Sequence, residues 1–309
     1  MKVIKNCAIF PVLAIIFVIS ACAGDVTRTF SVADNPNLTI NVTVTFEAMR
    51  EIASAIGGDR ISISKIIPPG AGAHHFEPTA RDLIGLNRAD VFIKSGFDFE
   101  PWAGSAVNAA GRDNLIIVNA SKHVEPIFLT DGGCAGDAAR DPHTWLSLKN
   151  AVIMATAVRD AFIEADPDGA EYYRDNFDTF AQSANALFNK YYARFDTLTN
   201  RTIVVSHAVF GYLVRDFNLY QKSIQGVFAE GEPSARALTK LIEFSRERNI
   251  STIFKEYTGN HHVAKTLANE LGAAVKVIYT IESPEKGLSY FERMERNLNV
   301  IYNSLSYNT

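Results

Sequence analysis

The sequence predicts an α/β protein built as two similar lobes with mainly parallel sheets, flanking one long helix. Strand-like runs alternate with roughly 10–15-residue helical patterns, once on each side of the middle of the chain, the pattern of βαβ units. Between the two series lies a proline-free segment from about Gly169 to Leu198 whose apolar residues recur every three or four positions. The length, 309 residues, exceeds what one hydrophobic core usually serves.

Each element follows from local pattern. Residues 39–45 alternate polar and apolar, and helical spacing runs from Phe46 to Ile56 before Gly57-Gly58. Ile61 to Ile67 alternates again until Pro68-Pro69-Gly70. Thr79 caps a helix to about Arg88, with Asp82 completing a capping box. A strand at Val91–Lys94, a helix from about Pro101 and a strand at Leu115–Val118 complete the first series. Residues 119–142, rich in Gly, Asp and Pro, form a long loop before a helix from Leu148 to Ala165. In the following segment Tyr173, Phe177, Phe180, Ala184, Leu187, Phe188, Tyr191 and Phe195 make a helical stripe. A helix of ~30 residues is about 45 Å long; a bend dividing it in two is the alternative. The second series has strands at Thr202–Val205, Ser223–Val227, Thr252–Lys255 and Ala274–Tyr279. Helices run from about Val209, from Glu232-Pro233-Ser234 to about Arg248, through Leu271, and from about Ser289 to Leu305.

The formal charge is −4, or −6 without the first 21 residues, and nothing in it suggests the basic face that a nucleic-acid binder needs, so no nucleic-acid partner is expected. Lys2 and Lys5 precede an apolar run from Cys7 to Ile19 that is too short for an ordinary membrane span. Ile19-Ser20-Ala21-Cys22 then resembles a prokaryotic lipobox, whose cysteine is lipidated. The alternative is a plain A-x-A cleavage at Ala21-Cys22-Ala23. The expected organisation is a signal peptide at 1–21, a lipid-anchored tether at 22–38, an N-terminal lobe at 39–166, the linking helix at 167–199 and a C-terminal lobe at 200–309. Cys134 is then the one thiol left for the folded lobes, so no disulfide forms within the chain. Its Gly-rich surroundings mark it as an exposed bystander.

Three of the seven histidines stand in contexts that position a functional group. His74 follows a strand and a Pro-Pro-Gly turn, His143 lies in the loop before the Leu148 helix, and His207 ends a strand. The carboxyl ends of parallel strands are where open α/β sheets place ligands. Neutral imidazole is a common zinc ligand, and three imidazoles with one carboxylate complete a tetrahedral shell. Taken singly, each also reads as a hydrogen-bonded loop histidine.

Three segments resemble the signatures of the cluster A-I substrate-binding proteins of ABC transporters for zinc and manganese. They are His74-x-Phe76-Glu77-Pro78-Thr79, Asp141-Pro142-His143-x-Trp145 and Ser206-His207-x-x-Phe210-Gly211-Tyr212. Glu100-Pro101-Trp102, Ile253-Phe254-x-Glu256 and Tyr290-x-x-Met294-x-x-Asn297 add weaker support, and the likeness spans about residues 39–305. The resemblance implies two lobes joined by a single rigid helix and one metal ligand from each of four segments. Those are His74, His143, His207 and a carboxylate before the final helix, for which Glu282 is preferred over Glu285 or water. Glu77, Asp141 and Glu256 are the carboxylates expected to hydrogen-bond to the imidazoles.

Three nitrogens and one carboxylate suit Zn²⁺, whereas manganese, the alternative, prefers oxygen-rich shells. The histidine-rich loop of some zinc relatives is missing, since the one histidine in residues 119–142 is His123, accompanied by Asp131, Asp137 and Asp141. The expected function is that of a monomeric, lipid-anchored extracytoplasmic receptor that hands Zn²⁺ to an ABC permease in the membrane. A transported ion needs no nucleophile, and no HExxH motif is present, so no enzyme is expected. A manganese or iron receptor of the same family and a surface adhesin on the same fold are the alternatives, with a metallohydrolase behind them.

Overall fold

The computed structural model describes residues 40–72, 76–129, 139–228, 234–258, 262–285 and 287–306. In the N-terminal lobe β1 (Ile40–Val44), β2 (Ile61–Lys65), β3 (Val91–Lys94) and β4 (Ile116–Asn119) form a parallel sheet in the order β2-β1-β3-β4. In the C-terminal lobe β5 (Thr202–His207), β6 (Tyr220–Gln225), β7 (Thr252–Glu256) and β8 (Ala274–Ile278) repeat it as β6-β5-β7-β8, again parallel. In both sheets the chain reverses its direction of winding beside the first strand. That switch point opens a crevice at the carboxyl ends of two adjacent strands. The central strands are β-branched and fully covered, with Val42, Val44, Ile203, Val204 and Val205 at most 1% exposed.

Helices α1 (Glu47–Gly57), α2 (Ala80–Asn87), α3 (Ala103–Ala110) and α4 (Leu148–Ala165) belong to the first half, α6 (Gly211–Asp216), α7 (Ala235–Glu247), α8 (His262–Leu271) and α9 (Tyr290–Ser306) to the second. α2 carries the expected capping box, Thr79 and Asp82 closing its first turn. Between the halves α5 (Ala170–Asp196) is one unbroken helix of 27 residues, about 40 Å long. Its buried residues Tyr173, Phe180, Ala184, Tyr191 and Phe195 lie on one stripe. A 3-10 turn at Pro167–Gly169 starts it, and Asp166 there accepts a 2.7 Å hydrogen bond from the Tyr173 hydroxyl and pairs with Arg60.

One contiguous apolar core runs through both lobes and includes α4, α5 and α9. Polar bonds cross between the lobes as well. The Trp145 indole donates to the Thr280 carbonyl at 2.7 Å, and the Tyr290 hydroxyl donates to the Trp145 carbonyl at 2.7 Å. Ser147, the cap of α4, donates to Asp216 of α6.

Where the structure departs from the sequence reading, edges and short turns are responsible. β6 begins at Tyr220, not Ser223, and ends at Gln225. It is an edge strand whose polar Gln221, Lys222 and Ser223 conceal the alternation. The helix expected from about Val209 is confined to the six residues of α6, and α3 starts two residues after Pro101. Within the long loop Phe128 and Arg140 form an antiparallel bridge. Its next rung, from the Asp141 amide to the Ile127 carbonyl at 2.8 Å, delivers Asp141 and His143 to the cleft.

Candidate metal centre

The carboxyl end of β5 places His207 between the lobes, and the loop before α4 brings His143 to meet it. Their ring centroids lie 5.4 Å apart with the planes at 89°. Both rings are buried, His143 wholly and His207 at 5% exposure. Two imidazole nitrogens bound to one tetrahedral zinc lie about 3.3 Å apart, a spacing compatible with ring centroids this close.

Asp141 governs His143. Its Oδ1 accepts from the His143 backbone amide at 3.0 Å and from ring Nδ1 at 2.9 Å. With its proton on Nδ1, the neutral ring keeps its lone pair on Nε2. Burial lowers the pKa of His143 and outweighs the opposing pull of Asp141. Asp141 is itself held from the other lobe, for the Tyr212 hydroxyl donates to its backbone carbonyl at 2.7 Å. Burial pushes the Tyr212 phenol up to about 12, so it stays a donor at neutral pH. Gly211 is required beside it, since a Cβ there would meet Asp141 Oδ2 at 2.5 Å. The aromatic wall of the site consists of Phe46, Phe99 and Trp145, whose centroids are 4.6–4.8 Å apart. Phe99 and Trp145 both pack on His143.

His207 is held differently. Nδ1 lies 3.2 Å from Glu256 Oε1 and Nε2 lies 2.7 Å from the Val227 carbonyl, so both nitrogens face acceptors. Glu256 ends β7, the strand across the switch point from β5, two residues past the paired Val205 and Phe254. Burial pulls the His207 pKa down, but the hydrogen bond and charge of Glu256 prevail and raise it. To bind a cation His207 gives up its extra proton and one of these contacts.

The two carboxylates before α9 separate clearly. Glu285 is 1% exposed and pairs with Arg293 at 2.9 Å. Glu282 lies close enough to His207 and Glu256 to feel both charges, and its Oε1 is buried without a hydrogen-bond partner. Burial, then repulsion by Glu256, pushes its pKa up to about 7 despite the attraction of His207. Among the candidates for a fourth ligand, Glu282 has the available oxygen.

His74 lies outside the described residues, as do Cys22 and Cys134. Among the described residues no three His, Cys, Asp or Glu side chains are grouped as a metal site. The structure therefore brings His143, His207 and Glu282 into one neighbourhood without closing a shell. Glu77 is exposed, turned to solvent. Sequence reasoning gave no role to Tyr212 or Arg293, although Tyr212 stands in a quoted motif. A buried phenol reaching the backbone of the other lobe has no periodicity to reveal it.

Comparison with known proteins settles the lineage. Residues 42–304 match the family model described as the periplasmic component A of the zinc-uptake complex. The chain belongs to that family. It is 36% identical over 312 residues to a putative metal-binding protein of Treponema pallidum, covering 98% of each chain. It is 30% identical over 317 residues to the high-affinity zinc uptake system protein ZnuA of Bacillus subtilis, covering 97% and 98%. The solved laminin-binding protein of Streptococcus agalactiae, described as bifunctional with adhesin and metal-transporting activity, superposes with a TM-score of 0.79 at 29% identity. That match covers 86% of this chain and 99% of that one. Members of this zinc-uptake family are binding components of transport systems, not enzymes.

Proposed function

We propose that this chain is an extracytoplasmic receptor that captures one Zn²⁺ between its lobes through His74, His143, His207 and Glu282 and delivers it to an ABC permease. The observation that carries the reading is the edge-on approach of His143 and His207 at 5.4 Å, beside the buried, unpartnered Oε1 of Glu282. Asp141, Glu256 and Glu282 bring more negative charge to this pocket than His207 offsets, and a dication supplies the balance. Nitrogen-rich donors favour zinc over manganese. Asp141 and Glu256 orient the imidazoles, as carboxylates do behind zinc-bound histidines. Cys22 tethers the receptor to the membrane through lipid, and the protein acts as a monomer.

Metal analysis of protein purified without chelators tests the reading. The wild type is expected to carry zinc at about one equivalent, and His143→Ala to lose most of it. Manganese or iron in the wild type, or full zinc retention in His143→Ala, would overturn the assignment. The likeness to a bifunctional laminin-binding protein supports one further reading, adhesion on the same fold. Binding of the purified chain to immobilised laminin, with albumin as control, decides it.

A further inference from the structure

The segment that carries Glu282 is built as a latched arm. It leaves β8 through Thr280 and Ile281, and Ile281 has φ of +59° although it is β-branched and fully buried. The left-handed region is costly for such a residue and persists only where neighbours impose it. Here the neighbours are identifiable. Asn297 of α9 brackets the end of β8, its side chain bonding both the amide and the carbonyl of Tyr279 at 2.8 Å. Trp145 holds the Thr280 carbonyl from the other lobe. Beyond Glu282, Ser283 accepts the Gly70 amide of the N-terminal lobe on its hydroxyl at 3.1 Å.

Arg293 of α9 closes the arm. Its side chain is fully buried, donates from Nη1 to the Ser283 carbonyl at 3.0 Å and pairs with Glu285 at 2.9 Å. Its Nη2 lies 3.4 Å from Glu51 of α1, whose other oxygen accepts the Tyr290 amide at 3.0 Å. A buried guanidinium with carboxylates from both lobes defines one position of the arm, because any shift leaves a buried charge unpaired. We propose that Glu282 is positioned by a latch of two parts, Arg293 bonding the Ser283 carbonyl and Glu285, and the Ser283 hydroxyl accepting the Gly70 amide: together they hold the carboxylate in the cleft against the strain at Ile281 and set how fast a bound cation leaves. The inference rests on Glu282 being a metal ligand.

Zinc-loaded full-length protein is mixed with excess chromogenic chelator and Zn²⁺ release is followed by stopped flow. The variants are Ser283→Ala, Arg293→Lys, Glu282→Gln and the double variant Glu282→Gln/Ser283→Ala. Ser283→Ala is expected to accelerate release about fivefold, the weight of one hydrogen bond, and Arg293→Lys by at least as much. Ser283→Ala carries the test if Arg293→Lys folds poorly. Because the latch works through Glu282, Ser283→Ala adds nothing in the Glu282→Gln background. Release within about twofold of wild type in Ser283→Ala, or equal acceleration in both backgrounds, overturns the latch. Unchanged release in Glu282→Gln instead removes Glu282 from the ligand set, and the latch falls with it.

Discussion

Asp141 decides which ring nitrogen of His143 carries the proton. Its carboxylate fixes the Nδ1–H tautomer, and Tyr212 and Gly211 fix the carboxylate. Asp141→Asn keeps the shape but removes the charge, and it is expected to weaken zinc binding about 10–100-fold in a competition titration. Unaltered affinity would mean the ring is oriented by packing alone. The titrating groups yield a second expectation. Glu282 has its pKa raised from 4.5 to about 7, and that of His207 is raised above 6.5. Folding thus favours the protonated form of each. The stability they contribute is fully present below their unfolded values and is lost as pH rises through the folded ones. His143, lowered from 6.5, titrates with opposite sign but below this window. Metal-stripped protein should melt at lower temperature as pH rises from about 6.5 to 8, with a shallower slope in Glu282→Gln. Zinc affinity should climb over the same range, since binding expels these protons. A melting temperature of stripped protein that climbs with pH would contradict the environment assigned to Glu282.

At the level of elements, the long helix and the central strands were legible because burial on one face leaves periodicity behind. The stripe of Tyr173, Phe180, Ala184, Tyr191 and Phe195 reads as helix, and it is one helix without a break. Ala184 keeps that face narrow at its middle, and Asn185 next to it is exposed. Asn185→Pro removes a helical hydrogen bond and clashes with the preceding turn, so it is expected to cost about 3 kcal/mol in chemical denaturation. A loss under about 1 kcal/mol would show that the helix tolerates a kink and is not the stiff connector described. β6 was less legible, because an edge strand covered on fewer sides tolerates polar residues throughout. What the structure describes of the candidate site was legible in His143, His207 and Glu256, whose offset from His207 follows from parallel pairing of β5 and β7. Arg293 was not, since a lone arginine in an amphipathic helix looks like solvated surface until its buried partners are known.

At the largest scale, the described residues form two sheets of the same strand order, tied by α5 and by bonds that cross between the lobes at Trp145, Tyr290, Ser283 and Arg293. A continuous core through both halves opposes wide hinge opening. Solution scattering with and without Zn²⁺ is therefore expected to give radii of gyration within about 1 Å of each other. A larger expansion on metal removal would show that release needs domain rotation rather than local movement of the Glu282 segment.

The central claim is that imidazoles from both lobes and one glutamate surround a single ion. Zinc K-edge X-ray absorption on protein loaded with one equivalent of Zn²⁺ examines that shell directly. The account predicts four light-atom neighbours at about 2.0–2.1 Å, with the multiple-scattering signature of three imidazoles that falls to two in His143→Ala. A sulfur neighbour, a shell of six oxygens, or a spectrum unchanged by His143→Ala would contradict it.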